Sequence, residues 1–320
     1  MEIKFIFGFL RKITVEKVSV CIPVASSEKI EFLSRTIQDV FSKTKYLGEV
    51  IIVSSNPPAI VKPKNFPSNI VYTFVYLPEE VGPGIARNIC LEYARYPYVI
   101  YMDAHVELPI DYDEELINVF KEDKSIAIVT YPIHVYGHPE GVKGWCMVMD
   151  EDLSVNWVVT KPGKEKVIEV PAICGCFYAV NKNVIKEYSI IGHLPGYGHE
   201  DLELPMRMWL LGFKTVVVDN GKSVGHHFKS FESGDIPQWH EKRWFYHALN
   251  MILIPYLNYT GERYDKAINM LKEKYQWVFN QVWNKVVTEY SWVRQELLKR
   301  RIRSDNDYFQ WVREFKEKYL

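Results

Sequence analysis

Short β-rich runs alternate with amphipathic helical stretches through residues 17–131, and this alternation restricts the fold more than any other feature of the sequence. The run Lys17-Val18-Ser19-Val20-Cys21-Ile22-Pro23-Val24 reads as a strand, and Ala25-Ser26-Ser27 reads as a turn. Residues 28–45 then carry Ile30, Leu33, Ile37, Val40 and Phe41 on one helical face. Residues 49–53 form a second buried strand that ends at Ser54-Ser55-Asn56-Pro57-Pro58. A third strand over 70–77 leads into the glycine loop Gly82-Pro83-Gly84 and a helix over 85–94. A strand over 98–102, a helix over 112–121 and a strand over 126–131 continue the series. Strands separated by helices of this length build βαβ units, so the class is α/β with a mostly parallel central sheet flanked by helices.

The pattern weakens over 142–163 and returns as a strand over 170–180 that contains Cys174-Gly175-Cys176. A helix over 201–211 stops at Gly212, and a strand over 215–219 precedes Val224-Gly225-His226-His227-Phe228. From about residue 238 the chain is helical, charged and rich in Trp and Tyr, which divides it into a first region, 1–237, and a C-terminal helical extension, 238–320. At 320 residues and 48% hydrophobic composition the chain can bury a substantial core. The 39 basic and 40 acidic side chains nearly cancel, which excludes the basic excess of a generic nucleic-acid binder. The five cysteines (Cys21, Cys90, Cys146, Cys174, Cys176) are odd in number, sit mostly among apolar residues and read as reduced thiols of an intracellular protein. No apolar run reaches the roughly 18 to 20 residues of a membrane span. The apolar start at residues 5–10 lacks the basic flank and cleavage site of a signal peptide. The expectation is a cytoplasmic protein, with peripheral contact at the inner membrane face as a further option.

Asp103-Ala104-His105 is the stretch that points to chemistry. It follows the apolar run Tyr98-Val99-Ile100-Tyr101-Met102 at the C-terminal edge of a strand, where open α/β sheets bind ligands. A carboxylate and an imidazole two residues apart can face one cleft and share a divalent cation.

Five segments in order make the chain resemble a nucleotide-sugar glycosyltransferase of the GT-A fold, family 2 type. The nearest branch is that of the polypeptide N-acetylgalactosaminyltransferases and chondroitin-type enzymes. The segments are residues 18–24, Gly82-x-Gly84-Ile85-Ala86-Arg87-Asn88, Asp103-Ala104-His105, Gly198-His199-Glu200-Asp201-Leu202-Glu203, and Val224-Gly225-His226-His227-Phe228. They cover about two-thirds of the chain, and the helical extension lies outside them. The resemblance implies that Asp103, His105 and His226 hold Mn²⁺, or Mg²⁺, against the donor diphosphate, with His227 as the competing ligand. It implies that Pro23, Ser54, Arg87, Asn88, Asp103 and Gly175 bind a nucleotide-sugar donor, UDP-linked by family expectation. Glu200 and Asp201 become the catalytic pair. Inverting relatives carry Glu-Asp and retaining ones Glu-Asn, so Asp201 is read as the base of an inverting transfer and Glu200 as a ligand for sugar hydroxyls. The acceptor is a glycan, a protein or a lipid-linked molecule.

Departures from the family pattern limit the carry-over. Val24-Ala25 replace polar residues after the opening strand, Ser54-Ser55 replace an acidic pair, and His199 replaces a glycine. A non-catalytic carbohydrate-binding relative and a nucleotidyltransferase are the alternatives, although residues 24–29 supply no basic phosphate loop for the latter. The aromatic and basic residues of 238–320 suit packing on the catalytic region, membrane contact or homo-oligomerisation. On the membrane reading, removing 265–320 leaves the donor site intact and reduces membrane association. Residues 229–237, with Gly234, suit a lid over bound nucleotide. Asn258-Tyr259-Thr260 matches a glycosylation sequon and is read as chance.

Overall fold

The computed structural model describes residues 17–55, 67–228 and 240–320. The first half runs β1 (Val18–Val24), α1 (Ile30–Lys43), β2 (Leu47–Ser54), β3 (Val71–Tyr76), α2 (Gly82–Tyr93), β4 (Tyr98–Met102), β5 (Val106–Glu107), α3 (Tyr112–Glu122), β6 (Ile126–Thr130) and β7 (Ile133–Val135). It continues through β8 (Lys143–Gly144), β9 (Cys146–Met149), β10 (Val155–Val158), β11 (Val167–Glu169), β12 (Phe177–Asn181), α4 (Lys182–Tyr188), α5 (Glu200–Leu210), β13 (Lys214–Val218) and β14 (Val224–His226). Four helices close the chain: α6 (His240–Asn258), α7 (Gly261–Lys274), α8 (Gln276–Arg300) and α9 (Asp305–Tyr319).

Eight strands form one sheet in the order β11-β13-β6-β12-β4-β1-β2-β3. Four neighbouring pairs are parallel (β1–β2, β1–β4, β2–β3, β6–β13), and β12 and β11 enter antiparallel. Side chains alternate across this sheet because successive strand residues face opposite ways. Val18, Val20 and Ile22 of β1 and Val50 and Ile52 of β2 meet Leu33, Ile37 and Val40 of α1 on one side. Cys21, Ile51 and Val53 meet Ala86, Cys90 and Leu91 of α2 on the other. The βαβ crossovers bring the C-terminal ends of β1, β2 and β4 to one edge. A second sheet, β5-β14-β7-β8, lies beyond that edge, and its β14–β5 pairing sets His226 opposite Val106, one residue from His105.

Two expectations are corrected. Cys21 and Cys90 are joined in a disulfide between β1 and α2, so only Cys146, Cys174 and Cys176 are free thiols. Their spacing of 69 residues hides the pairing, because the crossover rather than the sequence brings them together. The strand expected over 170–180 is regular only over Phe177–Asn181, and Gly175 stands in the turn before it. The weakly patterned 142–163 holds β8, β9 and β10, which are too short to display a period.

The C-terminal helices pack into the same core as the sheet. Leu253, Leu257, Val282, Val286, Phe309 and Val312 belong to one cluster with Ile51, Val99 and Tyr178. Trp209 of α5 stacks on Trp311 of α9, with ring centroids 5.2 Å apart. Deleting 265–320 would strip this cover. Asn258 of the sequon is buried and donates to Glu203 Oε1 at 3.0 Å. Among the described residues no helix is long and apolar enough to cross a membrane. The apolar start and the expected lid at 229–237 lie outside the described residues.

Candidate active site

The site is built on the turn that leaves β4. Asp103 N–H donates to Cys176 O at 2.8 Å, which ties the end of β4 to the start of β12. The buried Thr36 hydroxyl of α1 lies 3.1 and 3.0 Å from the carbonyl oxygens of Ala104 and Val106, and it accepts from Val106 N–H. The turn is thereby held on both sides of His105. Glu28 then fixes the ring, with its carboxylate 3.0 Å from His105 Nδ1. A carboxylate on Nδ1 favours the tautomer that leaves Nε2 as the outward lone pair.

His226 Nε2 lies 3.3 Å from Asp103 Oδ2, and His105 Nε2 lies 3.9 Å from the same oxygen. One ligating atom from each of Asp103, His105 and His226 falls within 4.8 Å of the others. One carboxylate and two imidazoles at this spacing fit a divalent transition ion such as Mn²⁺ better than Ca²⁺, which prefers all-oxygen shells. Burial pushes the Asp103 carboxyl up, but the hydrogen bond to His226 and the charges of His105, His226 and Arg87 outweigh it. The group is held well below the usual carboxylate range. His227 turns the other way, stacking on Phe32 with centroids 4.4 Å apart.

The three residues open onto a cleft of about 310 Å³ whose walls include Pro23, Ser54, Glu28, Tyr197 and Arg243. Of the expected donor-binding residues, Pro23, Ser54 and Asp103 line it. Arg87 does not. It is 2% exposed, donating to Glu200 Oε1 at 2.6 Å and Gly175 O at 2.6 Å, with Asp103 Oδ1 at 3.5 Å. Burial disfavours its charge, but Tyr178, Glu200, Asp103 and Asp201 outweigh that and keep it cationic. Asn88 also faces away, bonding the backbone N–H and carbonyl of His193. At Gly175 the missing side chain makes room for Asp201, whose Oδ2 would lie 3.1 Å from an added Cβ.

Glu200 and Asp201 begin α5 behind Asp103, reached through the shared Arg87. Asp201 Oδ2 accepts from Gly175 N–H at 3.2 Å. Its pKa is pushed up to about 7, first by burial and then by Glu200, with Arg87 opposing. Glu200 Oε2 is buried and has no hydrogen-bond partner among the described residues. Such an orphaned oxygen suits a substrate hydroxyl. His199, just before the pair, takes a left-handed backbone at φ 67°. Burial, then His247 and Lys274, lower its pKa to about 3, so a neutral ring lies 3.1 Å from His247 Nδ1.

Sequence reasoning missed Glu28, Thr36, Tyr197 and Arg243. Glu28 and Thr36 read as ordinary residues of an amphipathic helix, and no local period marks a side chain that reaches another strand's turn. Arg243 lies in the extension that the sequence set apart, yet its helix runs to the cleft wall.

The family model for glycosyl transferase family 2 matches residues 19–189. Probable polypeptide N-acetylgalactosaminyltransferase 8 of Homo sapiens is 27% identical over 225 residues, which is 60% of this chain and 33% of that protein. The chain thus spans about a third of the length of that relative. A structure of GalNAc-T7 with UDP, GalNAc and Mn²⁺ matches with a TM-score of 0.62 at 17% identity, over 87% of this chain and 58% of that one. Mannosyltransferase PcManGT from Pyrobaculum calidifontis, with GDP-Man and Mn²⁺, matches at 0.51 and 13% identity, over 94% of this chain and 84% of that one. The fold is that of GT-A glycosyltransferases. With a family model matched over more than half its length, the chain belongs to glycosyl transferase family 2.

Proposed function

We propose that this protein transfers a sugar from a nucleotide-diphosphate donor, UDP-linked by preference, to an acceptor hydroxyl with inversion at the anomeric carbon. The observation that carries the reading is the convergence of Asp103, His105 and His226 at the rim of the cleft walled by Pro23, Ser54 and Arg243. A divalent ion held there supplies positive charge where the diphosphate leaves. Arg243 adds a fixed cation from the side of α6. Asp201 takes the proton of the acceptor hydroxyl, for which a pKa of about 7 is well matched at neutral pH. Glu200, fixed by Arg87 through one oxygen, keeps the other for a sugar hydroxyl. The Mn²⁺ with UDP and GalNAc in one matching structure, and with GDP-Man in the other, supports this reading of the cleft.

The test pairs metal binding with donor cleavage. Mn²⁺ titration followed by paramagnetic resonance reads affinity directly, and a panel of UDP and GDP sugars reads cleavage. Asp103→Ala is expected to abolish both while the protein stays folded. Glu28→Gln is expected to weaken Mn²⁺ binding by roughly 10- to 100-fold, the usual scale for a group that orients a ligating histidine. Wild-type Mn²⁺ affinity in Asp103→Ala would remove the assignment.

A further inference from the structure

Loop 195–199 carries the Glu200-Asp201 pair at its end, and one stripe of α6 holds it residue by residue. The Arg243 guanidinium stacks 3.9 Å over the Tyr197 ring and also bonds its hydroxyl. The Tyr246 ring packs on Gly196. His247 Nδ1 lies 3.1 Å from His199 Nε2. The Asn250 amide donates to Gly198 O at 2.7 Å and Pro195 O at 2.9 Å, with Tyr197 O at 3.4 Å. Positions 243, 246, 247 and 250 share one helical face by their spacing. From the opposite side Gly84 N–H donates to Gly196 O at 3.0 Å.

Two features show that this is a constraint on shape and not ordinary packing. Asn250 is fully buried and is followed by Met251, Ile252, Leu253 and Ile254, all part of the hydrophobic core. A polar side chain among such neighbours is stabilised only by the carbonyls it satisfies. His199 keeps a left-handed backbone, a conformation that is unfavourable for a non-glycine residue and persists only where its surroundings enforce it. The enforced residue is the one that immediately precedes Glu200 and Asp201 at the start of α5.

We propose that Asn250 is a positioning residue for sugar transfer, holding loop 195–199 so that the Asp201 carboxylate meets the acceptor hydroxyl. This rests on the reading of Asp201 as the base. None of Asp103, His105 and His226 lies on the loop, so metal binding should be insensitive to it.

The experiment is a double-mutant cycle between Asn250→Ala and Asp201→Asn, read as kcat, acceptor KM and Mn²⁺ affinity. Asn250→Ala is expected to lower kcat by roughly 10- to 100-fold, the scale of a displacement near 1 Å at a reacting group. Mn²⁺ affinity should stay within about threefold, since no metal ligand lies on the loop, whereas acceptor KM can move with Tyr197 and Glu200, which the loop carries. In the Asp201→Asn background the same change should cost less than about threefold, because the group being aimed is already lost. His247→Ala cuts the adjacent tie at a half-buried position, should lower kcat in the same sense, and carries the cycle if Asn250→Ala lacks a cooperative melt. A kcat within threefold of wild type, an equal penalty in both backgrounds, or a parallel loss of Mn²⁺ binding would overturn the proposal. Wild-type transfer by Asp201→Asn alone would instead remove the base reading, and the positioning role with it, before Asn250 is touched.

Discussion

Arg87 shows how one residue can tie several acidic groups together without facing the cleft. A planar guanidinium reaches Glu200, the Gly175 carbonyl and Asp103 at once, which a lysine ammonium cannot do with fixed geometry. Its charge offsets part of the repulsion between neighbouring carboxylates, yet burial still leaves Asp201 near pKa 7. Two outcomes follow for Asp201. As a base it must be ionised, so kcat/KM should fall about tenfold per pH unit below about 7 and level off above it. As a buried carboxyl its folded pKa exceeds the unfolded one, so its proton stabilises the native state at low pH. That contribution is lost as pH rises from about 4 to about 7. Asp201→Asn should therefore melt above wild type at pH 8 and level with it at pH 4. A lower melting temperature at pH 8 would show that the ionised carboxylate stabilises the fold.

At the scale of elements, the site depends on contacts between segments far apart in sequence. Thr36 of α1 fixes the turn after β4, and β14 brings His226 to β5. The glycine loop at the start of α2 has a packing role. Gly84 lies so close to the carbonyls of Leu194 and Gly196 that a Cβ has no room, and its N–H bonds Gly196 of the loop before Glu200. Gly84→Ala should destabilise the protein by about 1–3 kcal/mol through overpacking. It should also lower transfer more than Mn²⁺ affinity, because the displaced loop carries no metal ligand. Unchanged stability in urea titration would show that the contact relaxes freely.

At the scale of the whole molecule, the C-terminal helices complete the enzyme. They bury one face of the core, send Arg243 to the cleft and hold the loop before Asp201. Removing 265–320 takes away most of α7 and all of α8 and α9, uncovering Trp209, Leu253 and Leu257. The remainder should lose its cooperative thermal transition and its Mn²⁺ binding together. A truncated chain that melts cooperatively and binds Mn²⁺ as the full chain does would show that the extension is dispensable.

The sequence by itself determined the alternating order of strands and helices, because periods of 2 and 3.6 are local properties of the chain. It also determined Asp103 and His105, since a strand end followed by Asp-x-His is visible within a few residues. Only the tertiary structure set His226 beside Asp103 and His227 against Phe32, because that placement depends on which way each ring leaves the end of β14. The tertiary structure likewise decided that Arg87 and Asn88 turn inward, that Cys21 meets Cys90, and that Glu28 orients His105. Each of these is a contact between residues brought together by crossovers. Burial, charge and hydrogen bonding at such contacts act through space, and no spacing along the chain encodes them.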